Sequence, residues 1–327
     1  MKLHLNTPLF QQAIRATAEY KEIPEIYIEK DYWVTLALKT IFESDCKAYS
    51  VFKGGTALSK CYKVIERFSE DIDLVVLRAA GEKENALKAR IRSISKKVEE
   101  VLPEVQKEGI TKKRGRIRKT AHDYPKVFKG DFGQVRDFIV VEASMLGNFE
   151  PYQEMEISSF IYEMMVARGQ QQLAKEHEML PFSIQVLDIR RTICEKIMSL
   201  VRFSYDEAPI DSLKNKIRHT YDIHQLLKIP EVNTFFESDD FDQMLLKVGG
   251  DDVDSFKNNN DWLPNHPSEA LIFKNTREVW KQLADTYKGS FADLVYGNNL
   301  PKPEEIVTSL ERVSQRMTSV EWSINLG

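Results

Sequence analysis

Residues 51–77 read VFKGGTALSKCYKVIERFSEDIDLVVL, and this stretch decides the fold. An apolar run ends at a double glycine, a helix-length segment follows, and a second apolar run opens on two alternate aspartates. Gly54 and Gly55 lack a Cβ, so their backbone can take positive φ and approach an anionic ligand closely. Thr56 to Val64 is predicted to be a helix whose first N–H groups face that ligand. Asp71 and Asp73 lie two apart, so on a strand both carboxylates share one face. Two hard oxygen anions on one face suit Mg2+ or Mn2+, which share their remaining positions with phosphate oxygens. The pattern therefore predicts a nucleotide-and-metal site, with Lys53, Gly54, Gly55 and Thr56 on the phosphates and Arg67 and Ser69 as further phosphate ligands or turn residues.

Two other D-x-D triplets occur, Asp240/Asp242 and Asp252/Asp254, and neither leads into an apolar strand. They read as turns and exposed acidic loop. A two-metal site needs a third carboxylate on a neighbouring strand. Glu142, ending the run Phe138-Ile139-Val140-Val141, is the choice, with Glu154, Glu156 and Asp137 as rivals. On a helix from Asp188 to Phe203, Lys196 falls at the edge of the Ile189/Ile193/Ile197/Leu200 stripe, either snorkelling to water or entering a cavity. Asp222 lies one turn after Arg218, and an exposed i,i+4 ion pair accounts for it.

KGGTAL and RFSEDIDL together resemble the signature of the AbiEii/AbiGii toxin-type nucleotidyltransferases, a branch of the polymerase-β-like superfamily. The resemblance extends to EKDYWVTLAL (Glu29 to Leu38), RTICEKI (Arg191 to Ile197) and YDIHQLL (Tyr221 to Leu227), over about the first 230 residues. It implies a Mg2+-dependent transfer of a nucleotide from a nucleoside triphosphate to RNA, notably tRNA ends, by the toxin half of a toxin–antitoxin or phage-defence pair. It also implies a cognate antitoxin, a catalytic role for Asp71, Asp73 and Asp222, and contact of Lys196 with the triphosphate. Periodicity alone assigns Lys30 and Asp31 to a core-supporting helix outside the chemistry. The alternatives are a nucleotidyltransferase acting on a small molecule or a protein, and a GTP-binding regulator without turnover.

At 327 residues the chain is long enough for two cores. The expected fold class is α+β: residues 1–187 form a small mixed sheet flanked by helices, and residues 188–327 a helical domain contributing motif residues to the cleft. Helices are predicted from Thr7-Pro8, from Pro24, over Glu82 to Val101 and over Pro303 to Thr318. Strands are predicted over Tyr124 to Phe128, Phe138 to Ala143, Met155 to Ile161 and Leu180 to Val186, with loops around Tyr205 to Pro209 and Asp251 to Pro267. Three cysteines at wide spacing, with no C-x-x-C, point to reduced core thiols. No apolar run reaches membrane-spanning length and the start MKLHLNTPLF lacks a signal-peptide core, so a cytoplasmic location is expected. Net charge is only −4, which excludes a generic nucleic-acid coat. Lys107, Lys112, Lys113, Arg114, Arg116, Arg118 and Lys119 nevertheless crowd one segment, read as a loop or strand start that is either a solvated turn or a phosphate contact for RNA.

Overall fold

The computed structural model describes residues 1–78, 81–113, 115–130, 132, 134–145, 150–256, 259–297 and 299–326. The chain is α+β and divides into two compact units, Met1–Met145 with Tyr152–Leu187, and Leu146–Pro151 with Asp188–Gly327. No helix among the described residues is long and apolar enough to cross a membrane.

The first unit is built on a seven-stranded mixed sheet: β1 (Ser50–Lys53), β2 (Ile72–Val76), β3 (Glu104–Val105), β4 (Ile117–His122), β5 (Ile139–Ser144), β6 (Tyr152–Ile157) and β7 (Phe182–Leu187), in the order β3-β4-β5-β2-β1-β7-β6. β2 lies antiparallel to β1 and parallel to β5, which places the apolar segments Val51-Phe52 and Leu74-Val75-Val76 at its centre. Helix α1 (Thr7–Lys21) starts where Asn6 accepts a hydrogen bond from the Leu9 N–H and Pro8 occupies the first turn. It precedes α2 (Glu25–Phe42), and a short α3 (Gly54–Ala57) continues through one wider turn at Leu58–Tyr62. The amphipathic α4 (Glu84–Glu99) lies against β4 and β5, and α5 (Phe160–Ala167) and α6 (Gln171–Glu176) precede β7.

Helix α2 packs on α1, α4, α5 and the sheet and is buried on nearly every face, including three consecutive charged residues. Each of the three clamps a different segment. Both carboxylate oxygens of Glu29 accept backbone N–H bonds, from Val127 at 2.7 Å and Phe128 at 3.0 Å. Lys30, fully buried, forms an ion pair with Glu70 and donates to the carbonyls of Arg136 and Phe138. Asp31 pairs with Lys60 beyond the glycine turn and accepts from the Phe160 N–H at the start of α5. Burial pushes the Lys30 ammonium below its ordinary pKa and the Glu70 carboxyl above its own, each opposed by the partner's charge.

Three sequence expectations are corrected here. Tyr124 to Phe128 is not a strand: Pro125 has no N–H to give a ladder, Glu29 takes those of Val127 and Phe128, and the strand lies earlier, at Ile117–His122 in the basic run. The strand expected to reach Ile161 stops at Ile157, because Ser159 caps α5 through the Tyr162 N–H.

The second unit is helical: α7 (Ile189–Phe203), α8 (Pro209–Asn215), α9 (Ile217–Leu227), α10 (Pro230–Phe236), α11 (Asp239–Ser255), α12 (Leu271–Lys274), α13 (Thr276–Thr286) and α14 (Pro303–Met317). Here the third correction falls. Asp240/Asp242 and Asp252/Asp254 lie within α11, not in turns or a loop, and Asp251 to Ser255 is helical too. The helix tolerates Gly249 because a Cβ there would meet the Trp322 ring at 2.4 Å, and Asp242 pairs with Arg316 at 2.6 Å.

The Lys30–Glu70 pair generates a stability prediction. Lys30→Met strands a buried carboxylate and should lower unfolding stability by about 3–5 kcal/mol, while the double variant Lys30→Met/Glu70→Met should recover much of that loss. Urea denaturation of the three proteins checks it; a double variant no more stable than the single one contradicts the assignment.

Candidate active site

The glycine turn is fixed by its neighbours as well as by its backbone. Gly54 sits at φ +82°, and a Cβ there would stand 2.4 Å from Asp73 Oδ2. A Cβ on Gly55 would stand 2.6 Å from Arg67 Nη2 and 2.8 Å from Ser69 Oγ. Thr56 donates to Ser69 Oγ at 3.0 Å. The turn therefore gathers Gly54, Gly55, Thr56, Arg67, Ser69 and Asp73 at the end of β1, directly after Lys53. The helix begins at Gly54 rather than Thr56 and closes at Tyr62, where Lys63 takes a left-handed conformation, rather than at Val64.

Strand register sets the charges. Lys53 lies opposite Asp73, Asp73 opposite Glu142, and Glu142 opposite Lys119. A row of lysine, aspartate, glutamate and lysine thus crosses β1, β2, β5 and β4 at one level, and directly opposed residues share a face. Asp71 lies one residue before β2 and accepts from Arg136 Nη1 at 2.8 Å, while Lys119 Nζ stands 3.0 Å from Glu142. Burial, then the charges of Asp71 and Glu142, push the Asp73 carboxyl from 3.8 up to about 7; Lys53 and Lys119 act the other way.

Among the described residues no three His, Cys, Asp or Glu side chains are gathered closely enough to hold an ion. The outer two acids are turned to Arg136 and Lys119. The donor chemistry still fits a hard divalent cation: Asp73 and Glu142 on adjoining strands and Asp71 just before β2, with burial and then the two neighbouring charges penalising ionised Asp73. Topology removes two rivals for the third acid. Glu154 and Glu156 are on edge strand β6, three strand spacings or about 14 Å from β2, and Glu154 pairs with Lys47 at 2.7 Å. Asp137 is exposed ahead of β5.

In the second unit Lys196 Nζ donates to Asp222 Oδ2 at 2.7 Å, and both residues are buried. Asp222 is fully enclosed, which corrects the exposed ion pair expected from Arg218. Lys196 does not snorkel. Cys46, Cys61 and Cys194 are free and buried.

The basic run is largely engaged within its own unit. Lys107 lies over the Phe138 ring, Lys113 and Arg118 turn to Glu104, and Lys119 to Glu142; Arg114 falls outside the described residues. Sequence reasoning missed Glu70 and Arg136, which connect Asp71 to Lys30 of α2. The available signal was three successive charges inside a helix with no polar face.

Residues 36–309 match the family described as "Nucleotidyl transferase AbiEii toxin, Type IV TA system". A search of curated proteins gives no match.

The raised Asp73 carboxyl takes up a proton on folding between about pH 4 and 7, so its stabilising contribution is complete below about pH 4 and is lost as the pH rises through 7. In buffer stripped of divalent cations, Asp73→Asn should therefore melt higher than the parent chain at pH 8, with the difference vanishing near pH 4. Paired thermal melts across that range test it, and a variant that melts lower at pH 8 refutes it.

Proposed function

The chain belongs to the AbiEii nucleotidyl transferase toxin family of type IV toxin–antitoxin systems, and from that premise we propose that Asp71, Asp73 and Glu142 hold divalent cations while the turn at Gly54 to Thr56 holds a nucleoside triphosphate for transfer of its nucleotide to RNA. The observation that carries this reading is the acidic pair Asp73–Glu142, in register on adjacent strands and packed against Gly54.

Each group has a task that its position supports. The Gly54, Gly55 and Thr56 backbone approaches the β- and γ-phosphates, which the absence of a Cβ at both glycines permits. Arg67 and Ser69, beside Gly55, add a guanidinium and a hydroxyl for phosphate oxygens, and Lys53 adds charge at the same end of β1. When bound, Mg2+ or Mn2+ would supply Lewis-acid charge to the polyphosphate and favour ionisation of the attacking hydroxyl. That hydroxyl forms a bond to the α-phosphorus, the bond to the β-phosphate oxygen breaks, and pyrophosphate leaves. Asp73 or Glu142 receives the hydroxyl proton. Lys196 and Asp222 are required as a pair: within the second unit Asp222 orients the ammonium of Lys196, a group suited to an anionic ligand.

The acceptor is RNA, tRNA included, and a cognate antitoxin is the protein partner; both assignments rest on the family. The basic run supports RNA contact only weakly, because Lys107, Lys113, Arg118 and Lys119 have partners within the first unit.

Incubating the purified chain with each α-labelled triphosphate, Mg2+ or Mn2+, total RNA, proteins and small acceptors should label RNA. Asp71→Ala and Asp73→Ala should each reduce the rate by roughly 10²–10³-fold or more, as should Lys196→Met. Label on a protein or a small molecule would move the acceptor to that class. Nucleotide binding with no transfer to any acceptor would overturn the reading in favour of a regulator.

A further inference from the structure

The outer acids of the proposed metal set each have a cation of their own. Arg136 Nη1 lies 2.8 Å from Asp71 Oδ1 and 3.5 Å from Glu70 Oε1, and Lys119 Nζ lies 3.0 Å from Glu142 Oε2. The side chains of Arg136 and Lys119 are 33% and 28% exposed, so both reach the acids from the solvent side. Their backbones are held independently of those contacts. The Arg136 N–H donates to Glu70 Oε1 at 3.1 Å and its carbonyl accepts from the buried Lys30. Lys119 exchanges backbone hydrogen bonds with Lys112 at 2.9 and 2.7 Å and pairs along β5. Each side chain can therefore leave its acid without the strand or loop moving. Arg136 also keeps Glu70 as a second carboxylate partner when Asp71 is taken.

We propose that Arg136 and Lys119 are displaceable counter-ions which hold Asp71 and Glu142 in the metal-free protein, compete there with the divalent cation, and turn toward polyphosphate once the cation is bound. The inference rests on the assignment of these acids as metal ligands. Charge balance motivates it. Three carboxylates at one end of the sheet repel one another without a cation, and a guanidinium and an ammonium placed beside the outer two lower that repulsion. With a divalent ion in place the same two groups become surplus positive charge beside the phosphate-binding turn, where a triphosphate supplies the complement. A purely structural ion pair would instead be worth keeping in both states.

The two readings differ in the sign of one measurement. Mn2+ binding to the full chain, followed by electron paramagnetic resonance without nucleotide at low salt, gives the affinity directly. Arg136→Gln and Lys119→Gln each remove a competitor and should tighten Mn2+ binding by roughly twofold to fivefold, the free-energy range of a partly exposed ion pair. Arg136→Lys and Lys119→Arg retain a competing charge and should stay near the parent affinity. The same Gln variants should raise the KM for the metal–triphosphate complex more than they lower kcat. Gln variants that bind Mn2+ as the parent does, or more weakly while their circular dichroism is unchanged, overturn the inference. The two sites are independent, so failure of one variant to fold leaves the other to decide. No Mn2+ binding by the parent chain or any variant removes the carboxylate site itself and this inference with it. Binding by the parent that both Gln variants leave unaltered removes this inference alone.

Discussion

The first unit depends on a fully buried lysine. Lys30 leaves water completely and is compensated by Glu70 and by two backbone carbonyls, those of Arg136 and Phe138. Those contacts join the segment entering β2 to the segment entering β5. Asp71 and Asp73 follow Glu70, and Glu142 follows Phe138, so one ammonium sets the spacing of two strands that carry the proposed ligands. A buried ion pair contributes little net stability compared with an apolar pair of similar volume. What it contributes is register: an apolar contact tolerates sliding by a residue, whereas a paired charge in a dry core does not. In a β-sheet a slip of one residue turns every side chain to the opposite face, and here it would remove Asp73 and Glu142 from the same side.

That register concentrates like charge. Asp73 and Glu142 are forced opposite each other by parallel pairing, and Gly54 brings the backbone against Asp73 Oδ2. Burial, and after it the charges of Asp71 and Glu142, raise the Asp73 carboxyl. The two lysines at the ends of the row and Arg136 beside Asp71 offset part of that like charge. A sheet designed only for stability would not assemble such a row, because apolar or neutral residues at positions 73 and 142 would fold at lower electrostatic cost. Under the proposed function that cost is offset by a divalent cation, and the surrounding core tolerates it.

Much of this was legible in the chain. The double glycine between two apolar runs marks its turn through the backbone freedom of a single residue type, and alternation by two marks the aspartates. Glu142 was legible as a charge ending an apolar strand. The role of α2 was not. Amphipathic periodicity assumes that charge faces water, and Glu29, Lys30 and Asp31 occupy three successive positions with three separate buried partners far away in sequence. Nothing local announces Val127, Glu70 or Lys60 as those partners. The same limit misplaced the strand at Tyr124 to Phe128, whose N–H groups were claimed by Glu29. The acidic triplets of α11 were misread for another reason: Gly249-Gly250 signals a turn locally, but close packing against Trp322 makes glycine fit the helix.

The second unit buries two cations on one helix, and each is compensated in a different way. Arg191, 1% exposed, satisfies its guanidinium with Glu195, Asp251 and the Glu150 carbonyl, which ties α7 to α11 and to the chain before β6. Its donors are directed at several acceptors at once, as a structural role requires. Lys196, one turn along the same helix, has three donor protons and makes one hydrogen bond among the described residues, to Asp222. A buried ammonium costs several kcal/mol to desolvate, and a lone carboxylate recovers that only in part. Arg191 places three of its five N–H donors on three separate acceptors, whereas the Lys196 ammonium meets a single carboxylate among the described residues. The Asp222 carboxylate fixes the direction of that ammonium within the helical unit, at 2.7 Å.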